Sequence, residues 1–268
     1  MNYRIALLSA YIGSPGKNEL KMTDGCRQNL ETYGVDVYLF NESQRELLES
    51  CVLPNEDYKP NNNEKKRTKI RNWVDNIRFR QFMYPTEKAT HNRLLAKLPK
   101  MQFYKLLDNK GYDYYIWMDS KFTLLDDWLE VVLNWIELYG QHDLVICRHS
   151  ERSSIVSEYE YMRYHARKKS KIICSKYVLK DMYYQVQDYL SDNSFADDRL
   201  FEAGFLLYSK HIIMNHKGFL DAWYAHNYYY TIQDQLSLPY LVQKYKIDVC
   251  PLEQSVYKLP GTKYGYYD

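Results

Sequence analysis

The sequence predicts an α/β fold in a single domain, a mostly parallel central sheet flanked by helices, from three observations. Short apolar runs rich in β-branched and aromatic residues alternate with helix-like segments along the chain. The chain opens β–α–β, the unit that begins a parallel sheet. Polar clusters follow directly on several of the apolar runs. In an open parallel sheet, ligands bind at the carboxyl ends of the strands.

Residues 3–11 form a continuous apolar run, broken by Gly13, Ser14, Pro15 and Gly16, so a buried strand runs into a loop. In nucleotide-binding α/β folds that first loop often meets the base or ribose. Residues 25–33 read as a helix ended by Gly34, and residues 35–40 as a second strand. Residues 42–63, with Pro54, Pro60 and an asparagine run, read as a helix and then a loop. Residues 64–82 look helical and basic. Residues 89–107 hold two helical segments broken near Pro99, carrying Arg93, Lys97 and Lys100. The next stretch, YDYYIWMDSKFTLL (112–125), is a buried strand ending at Asp119, then Ser120, Lys121 and a second apolar run. Asp126 and Asp127 start a helix, as acids do at the positive end of a helix dipole. Residues 128–139 carry apolar side chains at helical spacing.

Residues 143–147 form a strand that runs into Arg148, His149, Ser150, Glu151 and Arg152. Helices are expected over 157–169 and 177–190, and a polar loop over 192–199. Residues 201–208 are a strand containing Glu202 and Gly204; a glycine inside a strand marks a close approach of backbone to a ligand or neighbour. Helices over 217–230 and 231–245 and a strand over 247–250 follow. The tail, 256–268, is rich in Gly and Tyr and either packs across a site or is mobile.

The net charge of +2 sets up no global field toward nucleic acid. Basic clusters at 64–73 and 165–172 are solvated faces, or sites for a phosphate-bearing ligand or an anionic membrane surface. Five dispersed cysteines without CxxC spacing argue against zinc and disulfide frameworks, and fit reduced thiols in a cytoplasmic protein. The N-terminus reads as a first strand rather than a signal peptide, and no apolar run reaches membrane-spanning length, which leaves peripheral membrane contact open. The 29 tyrosines suit surfaces that stack on sugars or bases, and equally fit a genome-wide compositional bias; for Tyr228 to Tyr230 and the tail tyrosines core packing is the commoner use.

The clusters Asp119–Lys121, Arg148–Arg152 and Asp234–Gln235 share one edge if their strands share a sheet, and that convergence is the bottom-up case for an active site. The bland alternatives are a turn-capping Asp119 and a charged loop whose arginines pair with Glu151 and Glu158.

YIWMDSKFTLLDD (115–127), ICRHSERSSIVSEYEY (146–161), FEAGFLLYSK (201–210) and IQDQLSLPYLV (232–242), preceded by HNRLLAKLPK (91–100), resemble in order and spacing one glycosyltransferase-like family. It was once called domain of unknown function 616 and includes plant proteins linked to seed mucilage and to alkaline ceramidase activity. The resemblance spans roughly residues 80–242. A weaker similarity links 118–121, 200–207, Asp234–Gln235 and 259–265 to retaining A-type glycosyltransferases of the glycogenin and galactosyltransferase kind. The resemblance implies a GT-A fold, a nucleotide-sugar donor (a UDP sugar first) and a glycan, glycolipid or glycoprotein acceptor. A-type enzymes usually carry Asp-x-Asp holding Mn²⁺ or Mg²⁺ against the donor diphosphate; here Lys121 stands at the third position, and a lysine does not ligate a hard cation. Either Asp119 binds the metal with help from elsewhere, the favoured reading, or Lys121 supplies the positive charge.

The resemblance further implies donor contacts from Asp119, Lys121, Arg93, Lys97, Lys100, Arg148, His149 and Arg152, and an acceptor floor at Glu202 and Gly204. Asp234 and Gln235 would face the anomeric carbon. If transfer inverts, Asp234, then Glu202, is the candidate base; if it retains, Asp234 or Gln235 stabilises the oxocarbenium-like state. Two rivals remain: a non-catalytic nucleotide- or sugar-binding relative, and a lipid-amide hydrolase, for which the sequence offers no G-x-S-x-G and no zinc-ligand cluster.

Overall fold

The computed structural model describes residues 3–13, 20–52, 85–107 and 110–265. The expectations for Ser14 to Gly16, for the loop with Pro54 and Pro60, for the basic segment 64–82 and for residues 266–268 lie outside the described residues. The described strands are β1 (Ile5–Ala10), β2 (Lys21–Met22), β3 (Asp36–Phe40), β4 (Tyr114–Met118), β5 (Phe122–Leu124), β6 (Leu144–Arg148), β7 (Phe201–Ser209), β8 (Val249–Leu252) and β9 (Thr262–Tyr264). The described helices are α1 (Asp24–Tyr33), α2 (Arg45–Ser50), α3 (Glu87–Met101), α4 (Phe103–Leu106), α5 (Trp128–Tyr139), α6 (Ile155–Arg167), α7 (Lys171–Cys174), α8 (Leu179–Leu190), α9 (Lys210–Asn215), α10 (Lys217–Tyr229) and α11 (Asp234–Lys244).

Six strands form the central sheet in the order β3-β1-β4-β7-β6-β8. β1 pairs in parallel with β3 and β4, and β6 with β8, while β7 runs antiparallel to both β4 and β6. The mixed α/β architecture agrees with the expectation from sequence. Five strands therefore end at one edge of the sheet, and β7 begins there.

β1 and β7 are buried along their whole length, as strands covered on both faces must be. Successive side chains alternate between faces. Ala6, Leu8, Tyr115, Trp117, Ile146, Leu206 and Tyr208 share a core with Leu95 and Leu98 of α3, Met182 of α8, Trp223 of α10 and Leu236 of α11. Ile5, Leu7, Ile116, Met118, Val145, Cys147, Phe205 and Leu207 share the other with Cys26 and Leu30 of α1 and Trp128, Val132 and Ile136 of α5. None of the five cysteines is in a disulfide, and no described helix is long and apolar enough to cross a membrane.

Two local departures from the sequence reading matter for the site. α3 runs through Pro99 and breaks only at Gln102, whose N–H donates to Leu98 O at 2.7 Å. Proline removes one backbone donor, and here the buried faces of Leu94, Leu95, Leu98 and Met101 hold the turn together without it. As a result Lys97 and Lys100 lie within one continuous helix. The tail holds a strand that the sequence reading missed: β9 pairs antiparallel with β5, and β5 pairs in parallel with β2. Gly261 makes that return possible. Its φ is +69°, and a Cβ there would stand 2.6 Å from Trp128 Cα.

Candidate active site

A cavity of about 770 Å³ lies over the carboxyl edge of the sheet. Ala10, Trp117, Asp119, Ala203 and Gly204 line it from the strand ends, and Arg93, Lys97 and Lys100 from α3. His149 to Arg152, Glu158, Lys176, Tyr177, Asp234 and Gln235 line it from the segments after β6 and from the start of α11; Val256, Tyr257 and Tyr264 come from the tail. A smaller cavity of about 390 Å³, lined by Tyr3, Asp113, Lys210 and His211 among others, sits at the opposite end of β4. Its two opposite charges pair with each other, Lys210 Nζ lying 2.9 Å from Asp113 Oδ1.

Asp119 follows the last residue of β4. Its backbone N–H donates to Gly204 O at 2.8 Å, and its carbonyl accepts from Phe122 N at 3.2 Å as the chain turns into β5. Trp117 Nε1 donates to Oδ1 at 2.8 Å, and Lys121 Nζ lies 3.1 Å from Oδ2. Burial pushes the carboxyl pKa up, but Lys121 and Lys100 more than offset it and hold Asp119 below the ordinary carboxylate value. Gly204 leaves the space this needs: a Cβ there would stand 3.1 Å from Val256 Cγ2, 3.4 Å from Phe122 Cε2 and 3.5 Å from Asp119 Oδ2.

Lys97 and Lys100, one turn apart on α3, both reach Asp234 Oδ2, at 2.8 and 2.6 Å. Lys100 is 3% exposed, and its ammonium stands 5.7 Å from the Trp117 ring centre and 5.8 Å from that of Trp223. Burial alone would raise Asp234, yet Lys100 and Lys97 drive it well below the carboxylate range. Lys97 is pulled below its usual value by burial, against the attraction of Asp234. Gln235 also lines the cavity, and its Oε1 accepts from Gln233 Nε2 at 2.9 Å. Arg93 donates to Ser175 O at 3.0 Å and Lys176 O at 3.4 Å, fixing the backbone that delivers Lys176. The Lys176 ammonium is held below its ordinary pKa by burial, with Arg93 and Lys121 adding to it.

The segment after β6 contributes His149 and Arg152 but not Arg148. Alternation sets this: Cys147 and His149 are buried and Arg148 between them is exposed, 3.7 Å from Glu253 and outside the cavity lining. Arg148, expected to touch the donor, is therefore not brought to the site. His149 Nδ1 accepts from Glu151 N at 3.1 Å and Arg152 N at 3.2 Å. Burial, then the Arg152 charge, lowers its pKa, which favours the neutral ring. Arg152 pairs with Glu158 and with Glu151, and lies over the Tyr161 ring at 4.0 Å. The pairing expected of a charged loop and a place on the cavity wall thus coexist.

Glu202 is 2% exposed and accepts four bonds from neutral donors: Ser150 N at 3.5 Å, Ser150 Oγ at 3.3 Å, Ser255 Oγ at 2.8 Å and Val256 N at 2.6 Å. A carboxylate so occupied fastens the tail to β7 and the loop after β6. Glu202, expected as a base or acceptor contact, does line the cavity, and there these four bonds tie it to the scaffold.

The residues around Asp119 do not fit a divalent cation. Both Asp119 oxygens are engaged, one by an ammonium, and the neighbouring carboxylate of Asp234 is shared by two more. Among the described residues no three His, Cys, Asp or Glu side chains gather as a metal site. The favoured metal ligation by Asp119 therefore lacks its donor set. Sequence reading also missed Lys176, Glu158 and Trp117. Lys176 lies in no recognisable motif; Trp117 and Glu158 lie within the ordered motifs, where pattern alone marks them as strand core and loop partner.

A family model described as TOD1/MUCI70, glycosyltransferase-like domain matches residues 53–258. The chain belongs to that family. The ordered motifs at 91–100, 115–127, 146–161, 201–210 and 232–242 all fall within the match, which also extends past both ends of 80–242. No curated protein sequence matches the chain. Among solved structures, the apo form of mouse xyloside xylosyltransferase 1 is similar over 94% of this chain and 85% of its own, at 9% identity and a TM-score of 0.42.

Proposed function

We propose that the protein transfers a sugar from a nucleotide-sugar donor, a UDP sugar in the first instance, to a glycan, glycolipid or glycoprotein acceptor. The observation that carries this is the cavity at the carboxyl edge of the sheet, where Lys97, Lys100, Lys121 and Lys176 converge in a glycosyltransferase-like domain. When the bond from the anomeric carbon to the diphosphate oxygen breaks, negative charge grows on the departing diphosphate. Fixed cations in a partly dry site stabilise that charge far better than water does. Asp119, ionised and aimed by Trp117, accepts hydrogen bonds from donor hydroxyls. Tyr11 and Ile12, just beyond β1, line the same cavity, and in this reading they meet the nucleoside.

Asp119 and Asp234 are both held below the ordinary carboxylate pKa, so neither is matched to removing a proton near neutral pH. Asp234 serves by fixing two lysines. This favours a reaction in which the departing diphosphate oxygen takes the acceptor proton while the acceptor oxygen bonds the anomeric carbon from the same face, retaining configuration. Product anomer analysis by NMR tests the outcome.

The Lys121 ammonium on Asp119 also suits a relative that binds nucleotide or sugar without turnover. Thermal-shift and calorimetric screening against nucleotide sugars, followed by mass spectrometry for sugar released from bound donor, separates the readings. Release or transfer supports the enzyme, binding without release supports the binding relative, and failure to bind any nucleotide or nucleotide sugar removes both.

A further inference from the structure

We propose that the donor diphosphate is held by lysine ammonium groups in place of a divalent cation, with Lys97, Lys100, Lys121 and Lys176 as the anion-binding set. The inference rests on the reading that this cavity takes a nucleoside diphosphate; it makes Asp234 a positioning residue for Lys97 and Lys100, and Asp119 a donor contact that also fixes Lys121, neither of them a metal ligand.

The first support is steric and electrostatic. A hard cation sits roughly 2.0–2.6 Å from its carboxylate oxygens. At Asp119 Oδ2 it would share the oxygen with the Lys121 ammonium, already 3.1 Å away. Lys121 is also held in place: its ammonium lies 5.6, 5.3 and 5.9 Å from the ring centres of Phe122, Tyr257 and Tyr264. Moving it aside to admit a metal forfeits three cation–π contacts as well as the ion pair.

The second support is charge. Six Lys and Arg side chains and five Asp and Glu side chains line the cavity, and they are unevenly matched. On the His149 side, Arg152 alone meets both Glu151 and Glu158. On the α3 side, Lys97 and Lys100 share the single carboxylate of Asp234. Lys176 has no carboxylate at ion-pair distance among the described residues, and burial and its cationic neighbours depress its pKa. The positive excess is thus gathered on one wall, and the ligand that relieves it is a compact polyanion. A diphosphate has that shape and charge, and lysine serves it as a compact point charge.

The third support is burial. Lys100 is 3% exposed and Lys97 partly buried, so their field is little screened by salt or water. Such a site needs no ion from solution to complete it.

The test is calorimetric titration of the full chain with inorganic pyrophosphate, UDP, GDP and ADP, each in chelator and each with Mn²⁺. Lys121→Ala, Lys176→Ala and Lys121→Asp proteins are titrated alongside. The expected result is that at least one nucleoside diphosphate binds in chelator with an affinity within twofold of that in Mn²⁺. Lys121→Ala and Lys176→Ala should each weaken chelator binding about tenfold with the melting temperature preserved, and Lys121→Asp should make binding depend on Mn²⁺. Wild-type binding that appears only with Mn²⁺ overturns the inference and leaves the glycosyltransferase reading standing. Binding in chelator that neither alanine variant changes also overturns it. No binding of any nucleotide in either condition overturns both.

Discussion

Glu202 and Asp234 are buried carboxylates on one cavity, yet their surroundings differ in kind. Glu202, near the start of β7, takes its bonds from two backbone amides and two serine hydroxyls. Asp234, at the start of α11, takes two ammonium groups from α3. The first arrangement saturates a charge with dipoles and leaves nothing over, so it fastens the tail to the sheet. The second leaves positive charge over, and a buried positive excess in a cavity is a site for an anion. Fastening and function are thus told apart by whether the partners of a buried charge balance it.

Substitution at Asp234 should break this contrast most severely. Asp234→Ala strands two ammonium groups, one fully buried, and breaking a buried pair from one side costs about 3–5 kcal/mol. A drop in melting temperature of roughly 10 °C is expected for a chain of this size, partly recovered by adding Lys97→Met. A stable single variant would mean that the lysines are not held as described. Glu202→Gln should cost about 2–3 kcal/mol, since it presents an amide N–H₂ to donors on one side. Hydrogen exchange should accelerate at residues 255–258, with nucleotide affinity nearly unchanged. A loss of affinity as large as that of the lysine variants would erase the distinction between the two walls.

His226 extends the same logic to the far side of α11. It is 5% exposed, stacks on Tyr189 and has Tyr189 Oη within hydrogen-bonding distance of its Nδ1. Burial, aided by Lys244, lowers its pKa from 6.5 to about 3. The folded state therefore refuses a proton that the unfolded chain accepts. Stability is full above about pH 6.5 and declines as pH falls toward 3, by about 2 kcal/mol at pH 5. Unfolding midpoints measured from pH 7 to 5 should show this slope, and His226→Phe should flatten it; an unchanged slope removes His226 as its source. The smallest effect belongs to Arg148→Ala: with the side chain outside the cavity, stability should stay within about 0.5 kcal/mol and turnover should be unaltered.

Much of this was legible in the sequence, for reasons that residues make plain. The apolar run 114–118 could only be a covered strand, so Asp119 had to stand at a sheet edge. Helix 128–139 has the predicted bounds because its apolar residues keep helical spacing without interruption. The direction of β7 was not legible, because an apolar run reads the same in either orientation. β9 is three residues long and has no pattern of its own. Arg148 and His149 form one cluster in the sequence, although strand alternation places them on opposite sides. Lys176 is brought to Asp119 only by tertiary packing, through a backbone that Arg93 holds.

Donor turnover by the wild-type chain and by Asp119→Ala, with circular dichroism as the control for folding, tests the central claim most directly. The account predicts that wild type releases or transfers sugar from a nucleotide-sugar donor and that the variant, still folded, is slower by about 100-fold, the scale expected when a preorganised charged contact at the reacting centre is lost. A folded Asp119→Ala protein with full turnover would contradict it.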